Sequence, residues 1–184
     1  RILFPSGTIL TSLKPKDEKS PLKFYQELDR LHSKTITIYT DGSAEGNPGP
    51  AEEACSCTDK DKLAIGFTPI AISTNNGGEL FSVMAAVQYS TAAYDEKRSF
   101  AVCSDSGYTV GILEGTSSPK SNTILVKHLL ATIQDSHHNF TYLHCPSHCG
   151  IVGNEVADIA ANIGTAKSKE GEGKSIKERL SNNP

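Results

Sequence analysis

Apolar and polar positions recur along this chain with two different periods, and the places where the period changes mark its elements. In SPLKFYQELDRLH, residues 20–32, Leu22, Tyr25, Leu28 and Leu31 recur at helical spacing. Ser20 can cap that helix, and Pro21 suits its first position, where no amide hydrogen is needed. TITIYT, residues 35–40, then alternates with a period of two, which predicts a strand running into Asp41-Gly42-Ser43 and the glycine-rich turn DGSAEGNPGP. Residues 51–58 and 63–73 read as two further strands, so that the three make a meander. Leu80, Val83, Met84 and Val87 fall at i, i+3, i+4 and i+7, predicting a helix from about Glu79 that DEKR finishes.

The same alternation of elements continues to the end of the folded part. FAVCS, residues 100–104, is a short strand that delivers Asp105 at its C-terminal end. Residues 121–135 form an amphipathic helix with Ser121 or Asn122 as cap and Val126, Leu129, Leu130 and Ile133 on one face. FTYLHC is the last strand, and GNEVADIAANIG a last helix with Val156, Ile159, Ala160 and Ile163 as its apolar face. The order βββαβαβα is that of an α/β domain, with helices flanking a mixed five-stranded sheet: a three-stranded antiparallel meander plus parallel strands. Residues 1–34 read as an N-terminal linker with one amphipathic helix, 35–166 as the domain, and 167–184 as a charged, flexible tail with few apolar residues.

Composition narrows the class. The 184 residues are 37% hydrophobic, enough for one domain with its own core. No apolar run is long enough to cross a bilayer and no leader pattern opens the chain, which begins at Arg1. Five cysteines, an odd number, do not suggest a disulfide framework, so a reducing, intracellular compartment is expected, with nucleus and cytoplasm not told apart. Charge is unevenly divided. Residues 1–34 carry seven Lys/Arg against four Asp/Glu and 167–184 carry five against three, leaving 35–166 with six against fourteen. An acidic body repels a polyanion unless cations neutralise its carboxylates and basic flanks or another domain supply attraction.

The stretch HCPSHCGIVGNEVAD, residues 144–158, raises two chemistries. His144, Cys145, His148 and Cys149, with help from Cys55 and Cys57, could hold zinc. Structural zinc sites, however, take paired ligands from separated knuckles, whereas His144 and Cys145 are strand neighbours that point to opposite faces. The acidic half offers the other reading. Asp41, Glu79, Asp105 and Asp158 all sit at element ends, and if the first and fourth strands are adjacent, Asp41 and Asp105 emerge side by side. Taken singly, each is equally an ordinary solvated carboxylate. Together they repel one another unless cations bind, and an all-oxygen donor set selects Mg²⁺ or Mn²⁺.

Four blocks, in order, carry a resemblance: YTDGSAEGNPGP at 39–50, TNNGGEL at 74–80, SDSGYTV at 104–110 and SHCGIVGNEVAD at 147–158. With them the chain resembles the type 1 ribonuclease H family from about Thr35 to Ala166. The wording PSHCGIVGNEVAD is most similar to the ribonuclease H domains of non-LTR retrotransposon reverse transcriptases, while DGSAEGNPGP looks equally like cellular members. The resemblance implies a ribonuclease H-like fold and hydrolysis of the RNA strand of RNA/DNA hybrids with two divalent ions, Mg²⁺ or Mn²⁺, giving 5′-phosphate and 3′-hydroxyl ends. An attached reverse transcriptase and a monomeric domain are the implied context.

By motif position, Asp41 would bridge both ions, Glu79 and Asp105 would complete one site, and Asp158 would hold the second. His148 matches the family's mobile histidine, whose expected role is proton transfer or product release; a surface histidine without a role is the alternative. Gly42, Ser43, Asn47, Asn75, Asn76 and Ser106 match positions that touch the hybrid, and Glu155 is expected at a 2′-hydroxyl, the group that distinguishes RNA from DNA.

Two departures stand out. Gly107 replaces a polar, glutamine-like side chain. The basic helix and loop that grip the DNA strand in cellular members are also absent, since 106–135 holds only Lys120 and Lys127 against Glu114 and Asp135. Hybrid binding is therefore expected to depend on the flanks or on an attached polymerase. A ribonuclease H-like scaffold without activity and an integrase or junction resolvase remain as alternatives.

Overall fold

A computed structural model describes residues 19–59 and 62–169. The leading segment before Lys19 and most of the charged tail lie outside the described residues. The elements are α1 (Lys19–Asp29), β1 (Ile36–Ala44), β2 (Gly49–Asp59), β3 (Lys62–Ser73), α2 (Asn75–Ala93), β4 (Ser99–Ser104), α3 (Gly107–Leu113), α4 (Thr123–Asp135), β5 (Asn139–His144) and α5 (Val152–Lys169). One sheet in the order β3-β2-β1-β4-β5 carries them. β1, β2 and β3 pair antiparallel, while β4 lies parallel to both β1 and β5. This is the mixed five-stranded α/β sheet that the hydrophobic pattern predicts.

The period of two along the strands divides the side chains between two layers. On one face, Ala51, Ile70 and Val102 meet Leu80, Val83 and Val87 of α2 and Leu125, Val126 and Leu129 of α4. Leu80, Val83 and Val87 are fully buried. Each contributes about 1.5–3 kcal/mol of burial. On the other face, Tyr39, Cys103 and Ala157 share a cluster with Phe24 of α1, and Ala54 packs on Ala160 and Ala161 of α5.

Several boundaries and faces differ from the sequence reading. α2 starts at Asn75 rather than Glu79, because Thr74 accepts a hydrogen bond from Gly77 N at 3.1 Å and caps the helix one turn earlier. NNGG looks like a turn but is the first turn of a helix. α3 was not expected; Ser106 caps this seven-residue helix by accepting from Thr109 N at 3.2 Å. In α4, Leu125 replaces Leu130 in the core, and Leu130 is exposed. α5 buries Ala157, Ala160 and Ala161 while Ile163 is exposed, since only small side chains let the helix lie close to β2. In α1 the buried residue is Phe24, at 2% exposure, while Leu22 and Tyr25 are 59% and 43% exposed. Phe24 and Leu28, four apart, form the inner face.

Candidate active site

β1 and β4 lie side by side in parallel, with Thr40 opposite Ser104, so Asp41 and Asp105 stand next to each other where this ladder ends. Asp105 lies just past β4, whereas Asp41 is not at a strand end as expected but inside β1, still paired with Ala54 of β2. Gly42 and Gly78 bring Glu79 to them. A Cβ on Gly42 would overlap the backbone of Gly78, and one on Gly78 would lie 3.2 Å from the Gly42 carbonyl carbon. Two glycines at this crossing let the start of α2 rest directly on β1. Carboxylate oxygens of Asp41, Glu79 and Asp105 consequently lie within 4.8 Å of one another. Ser104 Oγ donates to Glu79 Oε2 at 3.4 Å.

A second group of potential ligands adjoins the first: His148, Glu155 and Asp158 also place one ligand atom each within 4.8 Å of one another. Asp158 faces the first group closely enough to raise the Asp41 and Asp105 carboxyls. Glu155 is buried and accepts from Gly150 N at 3.2 Å, which ties the 146–150 loop to α5. His148, at the tip of that loop, is exposed and has φ +51°.

Electrostatics reflect this crowding. Burial, then the charges of Asp105, Asp158 and Glu52, push Asp41 up to about 7, against a lowering hydrogen bond from Gly42. Burial, then Asp41 and Asp105, hold Glu79 well above the usual carboxylate range, partly offset by Ser104 and Gly42. Asp105 is raised by burial and lowered by a hydrogen bond from Asn154 and by His148 and His144. His144 Nε2 also lies 3.1 Å from the Asp105 carbonyl oxygen.

Sequence reasoning missed one carboxylate. Glu52 of β2 is fully buried, and its Oε1 accepts from Ser43 N at 2.8 Å and Ser43 Oγ at 2.6 Å. Burial pushes it up to about 7, against the Ser43 bonds, with Asp158 adding to the rise. Its spacing from Ala54 and Ser56 places it on the face under α5, where Ser56 Oγ donates to Gly153 O at 2.8 Å. An acidic pair, Glu52-Glu53, inside a strand of otherwise small residues was the available signal.

The expected substrate contacts are distributed unevenly. Ser43 is engaged by Glu52, and Gly42 is buried under α2. Asn75 Oδ1 accepts from Ala44 N at 2.8 Å, and Asn47 Oδ1 from Asn75 N at 3.3 Å, so both brace the turn after β1. Asn47, Asn75 and Asn76 are exposed at the rim, whereas Ser106 caps α3. Cysteine does not enter the site: Cys55 and Cys57 lie in one apolar cluster and Cys145 in another, and among the described residues neither ligand group contains a thiol. The zinc reading is thereby left without a cage.

Comparison with known proteins agrees with this geometry. Residues 33–166 match the RNase H family. A ribonuclease H of Chromohalobacter salexigens is 33% identical over 145 residues, 71% of this chain and 84% of its own length. One from Alcanivorax borkumensis is 30% identical over 155 residues, 76% of this chain and 97% of that protein. Among solved structures, LC11-RNase H1 from compost superposes with a TM-score of 0.65 at 26% identity, covering 74% of this chain and 99% of that one. The same LC11 enzyme in complex with an RNA/DNA hybrid gives 0.53 at 25% identity, over 70% of this chain and 98% of that one. The chain therefore belongs to the RNase H family.

Proposed function

We propose that this chain is an endoribonuclease that hydrolyses the RNA strand of RNA/DNA hybrids at the cluster of Asp41, Glu79 and Asp105, with Asp158 beside it. The observation that carries the reading is the convergence of these carboxylates from β1, α2 and β4, each raised by burial and by its neighbours. Such a set is strained at neutral pH without cations. Its all-oxygen donors fit hard divalent ions, Mg²⁺ or Mn²⁺. Asp41, Glu79 and Asp105 would hold one ion, and Asp158, with Asp41 between the two groups, a second. Bound there, the ions would supply Lewis-acid stabilisation of the scissile phosphate and acidify the attacking water.

The chain's own groups do the rest. Ser104 and Asn154 orient Glu79 and Asp105. His148 is exposed beside Glu155 and Asp158, where an imidazole can pass a proton to or from the reacting oxygens. Asn47, Asn75 and Asn76 offer amides to the hybrid at the rim and Ser43 and Ser106 hydroxyls, while Gly42, buried against Gly78, serves the site by letting Glu79 approach Asp41. Glu155, held by Gly150 N, is within the group that would face a 2′-hydroxyl. The domain is read as 35–166, acting as a monomer on the hybrid with help from basic flanks at 1–34 and 167–184. For the host, the PSHCGIVGNEVAD wording supports attachment to a retroelement reverse transcriptase in an intracellular setting; the relatives named above are bacterial ribonucleases H. Among the described residues, no helix is long and apolar enough to cross a membrane.

Cleavage of end-labelled RNA/DNA hybrid, duplex RNA and duplex DNA with Mg²⁺, Mn²⁺ or EDTA tests the proposal. Metal-dependent cuts confined to the RNA of the hybrid are expected. Hybrid left intact under every condition would favour an inactive scaffold.

A further inference from the structure

Helix α1 precedes the segment that matches the RNase H family, which starts at residue 33, yet it packs against the two ends of the loop that carries His148. Phe24 is buried in one cluster with Tyr39, Cys103, Cys145, Ile151 and Ala157. Its ring lies 6.2 Å from that of Tyr39. Cys145 and Ile151 are the two buried ends of the loop 146–150 that carries His148. Between them the loop turns through two left-handed residues, His148 and Gly150, at φ +51° and +76°. Tyr39 adds a second connection. It stands two residues before Asp41, and a Cβ on Gly153, at the start of α5, would overlap its ring. Phe24 thus closes the place where the strand to Asp41, the loop of His148 and the helix of Asp158 meet.

We infer that α1 is a brace for the catalytic loop, with Phe24 as a positioning residue that clamps Cys145 and Ile151 and so sets where His148 is presented. The inference rests on the ribonuclease H reading for its effect on catalysis, but not for its effect on the loop. A loop held by two buried apolar ends opens locally when one partner of those ends is removed, while the sheet stays closed. The thiol of Cys145 reports this directly, because burial pushes it up to about 12 and shields it from alkylation in the closed state.

The test uses the full chain as wild type, Phe24→Ala and Phe24→Leu. Native alkylation by iodoacetamide, read per cysteine by mass spectrometry, is expected to label Cys145 at least tenfold faster in Phe24→Ala, with Cys103 as protected as in wild type and Phe24→Leu restoring protection. Phe24→Ala should also lower kcat on the hybrid about tenfold with a smaller change in KM, and cost nothing further in a His148→Ala background. Equal protection of Cys145 in all three proteins, or exposure of Cys103 together with Cys145, would overturn the brace. So would full multiplication of the Phe24 and His148 effects on kcat. If wild type fails to cleave hybrid, the ribonuclease reading falls, and the alkylation pattern still decides whether α1 holds the loop.

Discussion

Gly42 of β1 and Gly78 of α2 lie backbone against backbone, and that contact places Glu79 beside Asp41. A methyl group on Gly42 has nowhere to go, since its neighbours are peptide atoms rather than flexible side chains. Gly42→Ala should therefore cost about 1–3 kcal/mol of stability by overpacking and separate the two carboxylates. Chemical denaturation would show the loss, and cation binding by calorimetry would weaken more than the stability change explains. A variant as stable as wild type with unchanged cation affinity would show that the crossing does not set the site.

Metal-free protein should be least comfortable at high pH. Asp41 is raised in the fold to about 7 from an ordinary value of 3.8, and Glu79 is raised as well. A carboxyl with a raised folded value favours the folded state below its unfolded value and loses that contribution as pH rises through the folded one. The metal-free Tm should accordingly fall between about pH 4 and 7 on account of these groups, and Mg²⁺ should restore it above pH 7. Asp41→Asn should flatten the fall. An unchanged pH slope in that variant would contradict the assignment.

Glu52 adds a further acidic group beside Asp41 and Asp158. Glu52→Gln keeps an oxygen to accept from Ser43 but removes the charge. Without cations it should raise Tm at pH 8, and it should weaken divalent-ion binding several-fold in calorimetry. A lower Tm and unchanged ion binding would mean that Glu52 serves only to hold the end of β1.

His138 gives a check far from the site. Its Nδ1 accepts from Arg98 N at 3.2 Å, leaving Nε2–H to donate to Ser90 O at 3.0 Å. Burial, then His137, lowers its value below 6.5, against the Ser90 bond. Protonation would end the Arg98 bond, so stability carried by this latch is present above pH 6.5 and is lost as pH falls through the lower folded value. An NMR titration should place the His138 midpoint below 6.5; a midpoint at or above it would refute the latch.

Much of the fold was legible because strands and helices differ in period. Ile36, Ile38 and the alternation that follows could only be a strand, and Leu80, Val83, Met84 and Val87 only a helix. What sequence could not supply was which apolar residue a helix turns inward: Phe24 rather than Leu22, Leu125 rather than Leu130. That choice is set by the neighbouring surface and not by the helix. The four carboxylates were legible from the motif blocks that carry them, although Asp41 lies inside β1, paired with Ala54, and Glu79 a full turn into α2, rather than at the element ends expected. Glu52 was not, because a buried glutamate in a strand is recognised only once Ser43 and Asp158 are seen beside it. The grouping of Asp158 with His148 and Glu155 likewise depends on the pitch of α5.

The most direct measurement compares wild type with Asp41→Asn on an RNA/DNA hybrid labelled in the RNA strand, at saturating Mg²⁺, with product ends identified. Wild type should release fragments with 5′-phosphate and 3′-hydroxyl ends, and the variant, still folded by its Tm, should cleave at least a thousandfold more slowly. Comparable cleavage by folded Asp41→Asn would place the chemistry outside the carboxylate cluster.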